Sequence, residues 1–392
     1  MSYFNTLKTA HPDPIFGLSN ELKNDPRPQK IDLLIGYYRN AECITPVFES
    51  IKKAQSLLIK NQTDLTYFPI DGLKNYLDAI KGLIFEPSYH DSVIASQTVG
   101  GTSALHHLGH LIALKGHQRI AIPEPTWANH RQIFEYLGLQ VISYPYYNPK
   151  TQTLDFDSLV KALEALPDET CILFHASCHN PSGVDLSREQ WEALAALSLR
   201  KKHLPFFDAA YQGLGTSLDN DVMSVAIFAK KVPEFLIAYS CSKNFGLYGQ
   251  RTGALFIYAQ NPTIRQTLLS LVKKSQRATY SNPPRQGAEL VYEVLKSPQL
   301  RKEWEDELSS YRKRIHTLRK KFADVLEYHT NRDFSYVRHG QGLFCYTGLS
   351  ENTIHELKEK EAVYLASDGR INLTGLNEKN FTFIMELLKR YL

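Results

Sequence analysis

Five short apolar runs punctuate the middle of this chain, at 119–122, 170–175, 204–207, 235–239 and 254–258, with longer helical patterns between most of them. Several are apolar throughout rather than at alternate positions. A strand with one wet face alternates polar and apolar residues; a strand covered on both faces does not. The pattern predicts an α/β fold with a mostly parallel sheet flanked by helices. In such sheets ligands collect at the carboxyl ends of the strands, where the connecting loops meet.

One run leads directly into Tyr239-Ser-Cys-Ser-Lys-Asn-Phe-Gly-Leu-Tyr-Gly-Gln-Arg251. Lys243 follows the strand, hydroxyls flank it at Ser240 and Ser242, and Arg251 lies beyond a glycine-bearing turn. A lysine so placed can form a Schiff base with a carbonyl, while the hydroxyls and guanidinium hold an anion such as phosphate. Carbonyl and phosphate on one small molecule describe pyridoxal phosphate. Taken alone, Lys243 reads as a solvated lysine beside a turn, since lysine is seldom buried.

The rest of the 392 residues narrows the choice. At 43% hydrophobic and 22% charged, the make-up is ordinary for a globular protein, and the length allows two or three domains or one large domain with an appendage. A net charge of +4 is small for this length. The basic blocks Arg312-Lys-Arg314 and Arg319-Lys-Lys321 lie on a helical pattern and read as a solvated helix face, not a nucleic-acid surface. The five cysteines have no CxxC spacing, so neither a disulfide framework nor a metal site is expected, and a reducing compartment fits. No signal-peptide core or membrane-length apolar run stands out, and a cytoplasmic location is expected.

Segments 10–17 and 26–36 read as an extended N-terminal arm. Near the other end, Ser297-Pro298 predicts a helix start, and Trp304, Leu308, Tyr311, Ile315, Leu318, Phe322 and Val325 then recur at helical spacing. Residues 333–392 read as a smaller α+β unit.

Several further clusters carry chemistry. Gly100-Gly101-Thr102 opens a helical pattern, and a helix start offers free N–H groups to an anion, although a Gly-Gly pair is often only a turn. In Glu124-Pro-Thr-Trp-Ala-Asn-His130, Trp127 can stack on a flat ring or pack in a core, and His130 can be functional or structural. Asn180, in Cys178-His-Asn-Pro-Ser-Gly183, is held out of helical geometry by the following proline, as in any Asn-Pro turn. Asp208 ends a strand and precedes Ala209-Ala-Tyr-Gln-Gly213; burying it demands a cation or proton donor, which a protonated pyridine nitrogen would supply. Tyr211 is within reach of a phenolic oxygen on the same ring. Arg277 and Arg370 match carboxylates, or each forms a surface ion pair.

Taken in order, these motifs resemble the class I aminotransferases, pyridoxal-phosphate enzymes, in particular their aspartate/aromatic-amino-acid subgroup. The resemblance runs from about Asp13-Pro-Ile to Arg370-Ile-Asn-Leu. It rests on Tyr67 with Ile70-Asp-Gly72, the Gly-Gly-Thr turn, Trp127, His179-Asn-Pro-Ser-Gly183, Asp208 with Tyr211-Gln-Gly213, Ser242-Lys-Asn-Phe-Gly-Leu-Tyr248, Arg251, Tyr280-Ser-Asn-Pro-Pro284 and Gly369-Arg370. It implies the fold type I architecture of such transferases: an arm and part of the small domain at 1–45, a large cofactor domain at 46–310, and a small C-terminal domain at 311–392.

The resemblance also implies roles. Lys243 carries the cofactor covalently and then moves the proton. Asp208 pairs with the ring nitrogen, backed by His130. Tyr211 and Asn180 contact the phenolic oxygen, and Trp127 stacks on the ring. Gly101, Thr102, Ser240, Ser242 and Arg251 hold the phosphate, joined by Tyr67 of a second subunit. Arg370 with Asn180 clamps the substrate α-carboxylate, Gly36 and Trp127 border the substrate, and Arg277 of the second subunit takes a distal carboxylate. A two-fold homodimer with shared sites is thereby implied.

Departures from the family pattern are modest: Val99, Ser103, His106, Ser182, Cys241 and Asp368, the last adding negative charge near the α-carboxylate site. None removes a reacting group. Amino-group transfer between L-aspartate and 2-oxoglutarate is the leading expectation, and a tyrosine/phenylalanine or dual-specificity enzyme the alternative, with Phe16, Tyr37 and Phe68 adding aromatic surface. A lyase would dispense with one carboxylate clamp. A regulator would need a DNA-binding segment, and a non-enzymatic binding protein would not need Lys243, Asp208 and Tyr211 together.

Overall fold

The computed structural model describes residues 3–9, 14–116 and 119–392. Asp13 and the side chain of Phe16 lie outside what is described. A seven-stranded sheet runs in the order Val93–Val99, Thr252–Ala259, Glu234–Ser240, Leu204–Ala209, Cys171–His175, Arg119–Glu124, Gln140–Pro145. From Glu234–Ser240 to Gln140–Pro145 the strands are parallel; Thr252–Ala259 is antiparallel to both its neighbours.

The apolar runs are explained by the two faces of this sheet. Successive side chains of a strand point to opposite faces. Ile172, Phe174, Phe207, Phe235 and Ile237 enter one core, while Leu173, Phe206, Leu236 and Ala238 enter another on the far face. In these inner strands both faces are dry, so polar residues wait for the strand ends; the edge strands Val93–Val99 and Gln140–Pro145 carry polar residues in their interiors.

A further core lies outside the sheet, where Leu33, Phe322, Phe334, Cys345, Ile371 and Leu388 pack together. The helix Pro298–Thr330 joins the two regions. It starts where the sequence predicts, with the Ser297 hydroxyl accepting from the Leu300 N–H, and ends at Asn331 in the left-handed conformation. At ~1.5 Å per residue its 33 residues span about 50 Å. Trp304, Leu308 and Ile315 belong to the sheet core; Leu318, Phe322 and Leu326 belong to the other.

Two expectations need correction. The arm is not extended throughout: Pro14–Asn24 is a helix, proline being tolerated in a first helical turn. Beyond it Ile31–Asp32 pairs in parallel with Val363–Tyr364. Nor are the basic blocks a uniformly solvated face. Lys313, Lys320 and Lys321 are exposed, but Arg312 donates to the Gly213 carbonyl, Arg314 to those of Asn40 and Leu376, and Arg319 is completely buried. Arginine's planar fork carries five N–H donors and can satisfy several carbonyls at once even when fully buried.

Candidate active site

The strand ends Ser240 and Asp208, the helix start at Gly101 and the loop at Asn180 open onto one cavity of about 550 Å³. Thr102, Trp127, Tyr211, Ser242, Lys243 and Arg251 also line it. The structure thus gathers the sequence-singled residues into one place, with three exceptions. His130 lies directly behind Asp208. Tyr67 is 89% exposed, and Arg277 is exposed at the end of helix Pro262–Thr279, donating to the Ser281 hydroxyl; neither lines the cavity of its own chain.

The anion-binding end is built by backbone and small side chains. Gly100, with φ +73°, begins the helix Gly100–Leu114. A Cβ on Gly100 would lie 2.6 Å from Arg251 Nη2, and one on Gly101 would lie 3.0 Å from Ser240 Cβ. The glycines therefore let the helix start approach the guanidinium and the serines. The Ser240 hydroxyl donates to Ser242 Oγ at 3.0 Å, and Arg251 Nη1 reaches Ser242 Oγ at 3.4 Å. A helix N-terminus, two hydroxyls and an arginine suit a phosphate.

Asp208 is held by its neighbours. His130 Nε2 is 2.9 Å from Asp208 Oδ2, and Thr126 Oγ1 joins His130 Nδ1 to His175 Nε2 at 2.8 Å each. Burial would raise the Asp208 pKa, but the His130 hydrogen bond and nearby positive charge outweigh it and hold the carboxyl below its usual range. Lys243 Nζ lies 4.8 Å from the centre of the Tyr211 ring. Burial pushes the lysine down to about 8, Asp208 pulling the other way and Arg251 reinforcing the fall. The Tyr211 hydroxyl is pushed up by burial, then by Asp208.

The opposite wall carries Arg370, the first residue of strand Arg370–Asn372. Its Nη1 donates to Asn180 Oδ1 and its Nη2 to the Leu34 carbonyl, both at 3.1 Å, while Nε is buried without a partner. The guanidinium lies 4.4 Å from the centre of the Phe344 ring, and a Cβ on Gly36 would come 2.8 Å from Phe344 Cζ. Asp368, expected to add charge here, does so: its charge opposes the lowering of the Arg370 pKa by burial, while its carboxylate accepts from the Arg370 backbone N–H at 3.1 Å and from the Tyr346 hydroxyl at 3.3 Å.

The residues fit pyridoxal phosphate: a cradle with no room for side chains at 100 and 101, a largely buried carboxylate held ionised, and a half-buried lysine with a lowered pKa. Sequence reading missed His175, Tyr248, Phe344, Ile15 and Ser19, all of which line the cavity. For His175 the signal was available, because it ends the strand that registers it opposite Asp208.

This combination of sheet, strand-end lysine and paired carboxylate defines a pyridoxal-phosphate-dependent transferase of amino groups. The profile of the family "Aminotransferase class I and II" matches residues 28–388. Aspartate aminotransferase of Haemophilus influenzae is 38% identical over 99% of this chain and 100% of its own length. Aromatic-amino-acid aminotransferase of Pseudomonas aeruginosa is also 38% identical, over 97% of this chain and 96% of its own. A crystal structure of the Burkholderia pseudomallei aromatic-amino-acid aminotransferase, covalently bound to pyridoxal phosphate, superposes with TM-score 0.96 at 35% identity, covering 100% of this chain and 99% of that one. The chain belongs to the class I and II aminotransferases, in the aspartate/aromatic-amino-acid subgroup. Among the described residues no helix is long and apolar enough to cross a membrane.

Proposed function

We propose that the protein exchanges the amino group of L-aspartate with 2-oxoglutarate by a ping-pong route. The observation that carries this reading is a half-buried lysine and a buried arginine facing one cavity, the arginine with an unpartnered Nε.

Pyridoxal phosphate supplies a carbonyl that condenses with amines and a ring that accepts electrons. Gly101, Thr102, Ser240, Ser242 and Arg251 would hold its phosphate, Trp127 would stack on its ring, and Tyr211 with Asn180 would meet its phenolic oxygen. Asp208, kept ionised by His130, would keep the ring nitrogen protonated. Lys243 Nζ, with a pKa near 8, is basic enough to take a proton from substrate Cα, and the lowering from 10.5 leaves about a tenth of it as free amine at pH 7. Arg370 and Asn180 would orient the α-carboxylate, with Gly36 leaving room beside it. The large unit at 46–310 would thus hold the cofactor, while 311–392, with part of 1–45, brings Arg370.

Tyr67 and Arg277 are exposed outside their own cavity, and the apolar Ile59 and Leu65 are exposed as well. This supports a homodimer in which Tyr67 joins the partner's phosphate site and Arg277 receives the distal carboxylate of aspartate or glutamate. A second reading has its own support: Ile15, Ile35 and Tyr37 give the cavity an apolar wall that suits an aromatic side chain. A cytoplasmic setting suits substrates of this kind.

Arg277→Ala separates the readings. A charge pair truncated on one side in a closed site costs about 2–5 kcal/mol, so efficiency with aspartate should fall on the order of a hundredfold or more. Tyrosine and phenylalanine, lacking a distal carboxylate, should lose far less. The measurement is loss of cofactor absorbance in half-reactions with aspartate, glutamate, tyrosine, phenylalanine and alanine. A wild type that reacts with tyrosine much faster than with aspartate would overturn the aspartate preference. Equal losses on all substrates would remove Arg277 from the distal site.

A further inference from the structure

Arg319 is the completely buried member of a basic block, and no carboxylate lies within ion-pair distance of it among the described residues. Its acceptors are backbone carbonyls. Nη1 donates to Val337 O at 2.9 Å, Nε to Gly342 O at 3.1 Å, and Nη2 to Gln341 O at 2.7 Å and to Phe344 O. Glycines make room for the guanidinium: a Cβ on Gly340 would lie 2.5 Å from Nη1, and one on Gly183 would lie 2.6 Å from Nη2.

Both segments gathered there lead to the α-carboxylate site. Phe344 begins the strand Phe344–Tyr346, which registers Tyr346 opposite Arg370, and its ring lies against the Arg370 guanidinium. Gly183 O accepts the Gln341 N–H at 2.6 Å and closes the loop that carries Asn180. The start of that loop is fixed by Asp185, whose carboxylate accepts the N–H groups of Cys178 and His179 at 2.7 and 2.8 Å. Arg370 Nη1 on Asn180 Oδ1 then joins the two segments.

We propose that Arg319 is a positioning residue for substrate carboxylate recognition, setting Phe344 and the Asn180 loop so that Arg370 faces the cavity in one orientation. The inference rests on the reading of Arg370 as the α-carboxylate clamp. Truncating Arg319 frees four carbonyls and loosens both walls of that clamp, while Lys243, Asp208 and the phosphate cradle keep their own contacts.

The test compares holoenzyme carrying Arg319→Lys or Arg319→Gln with wild type. KM for aspartate and for 2-oxoglutarate should rise about tenfold or more, with kcat per bound cofactor within about threefold. The half-reaction with benzylamine, which has no carboxylate, should keep its wild-type rate constant. If the glutamine variant does not fold, Gly340→Ala, whose Cβ would lie 2.5 Å from Nη1 and also 2.9 Å from Tyr336 O and 3.0 Å from Gly183 O, displaces the guanidinium with its charge intact together with the backbone around it, and should give the same KM split. Unchanged KM with only a lower melting temperature or a smaller cofactor-loaded fraction would make Arg319 purely structural and overturn the proposal. Arg370→Lys is the control. If it raises KM while the Arg319 and Gly340 variants do not, the inference alone fails. If it too leaves KM unchanged, the reading of the clamp fails first.

Discussion

The two walls of the cavity are built by different means. On the cofactor wall Ser240 and Asp208 are held by the sheet register, Ser242 and Lys243 lie in the turn that directly follows the strand Glu234–Ser240, and His130 sits on the helix Asn129–Tyr136. On the carboxylate wall Gly36, Asn180, Phe344 and Arg370 come from distant parts of the chain; the Arg370–Asn180 bond alone spans 190 positions. That wall forms only where the two cores meet. Changes on the first wall should therefore act on chemistry with the fold intact, and changes on the second should act on binding.

The largest effect is expected at Lys243. Lys243→Ala removes both the cofactor-linking amine and the proton-transfer base, and turnover should fall at least on the order of 10⁴-fold. Borohydride reduction of wild-type enzyme should attach the cofactor to a peptide containing Lys243. Labelling of another lysine would break the assignment of the first wall.

Asp208→Asn should come next. A neutral pyridine nitrogen is a poor electron sink, so turnover should drop about a hundredfold or more while far-UV circular dichroism stays unchanged. KM for aspartate should move little. A variant that keeps turnover within a few-fold of wild type, or that fails through KM, would erase the contrast between the walls.

The cofactor wall should also carry a cost in stability. Burial lowers the Lys243 pKa from 10.5 to about 8, so the folded, cofactor-free protein binds this proton less tightly than the unfolded chain does. Below pH 8 that difference destabilises the fold by about 3 kcal/mol, and it fades as pH rises through 8 toward 10.5. Cofactor-free Lys243→Met should accordingly resist urea better than cofactor-free wild type at pH 7, by up to about 3 kcal/mol less what unpaired Asp208 takes back. The advantage should shrink at pH 10. An advantage that grows with pH would contradict the sign.

The same contrast governs what the sequence discloses. The sheet is legible because its strands are apolar on both faces, and Asp208 and Lys243 are legible because each directly follows such a strand. His175 obeys the same rule, but a lone histidine at a strand end carries no charge requirement of its own to single it out. The carboxylate wall is less legible. Asn180 and Arg370 stand out through local motifs and the family resemblance, but nothing near Phe344 or Arg319 in sequence announces what they touch. Arg319 was masked further by the lysines beside it, which do lie in solvent. The helix Pro14–Asn24 was lost because proline and glycine in 10–17 read as breakers. The assignments of Tyr67 and Arg277 rest on the resemblance, since their positions gain meaning only beside a second subunit.

The smallest effect is expected from the substrate wall, at Gly36. The residue does not need glycine for its backbone conformation, since its φ is not positive; it needs glycine because a Cβ would come 2.8 Å from Phe344 Cζ. That contact is too close for a real Cβ, yet it meets the far edge of a ring, which can tilt. Gly36→Ala should therefore leave the fold in place and shift the Phe344 ring, on which the Arg370 guanidinium rests at 4.4 Å. The α-carboxylate would then meet a slightly turned clamp. KM for aspartate and 2-oxoglutarate should rise together by roughly three- to tenfold, with kcat and the cofactor spectrum near wild type. Gly101→Ala offers the matched change on the other wall, because its Cβ would press on Ser240 Cβ at 3.0 Å. That variant should weaken cofactor retention and leave KM for the amino acid unchanged in the loaded fraction. If the two alanines produce the same phenotype, the walls are not separable, and the division of labour between sheet-fixed chemistry and contact-fixed recognition is wrong.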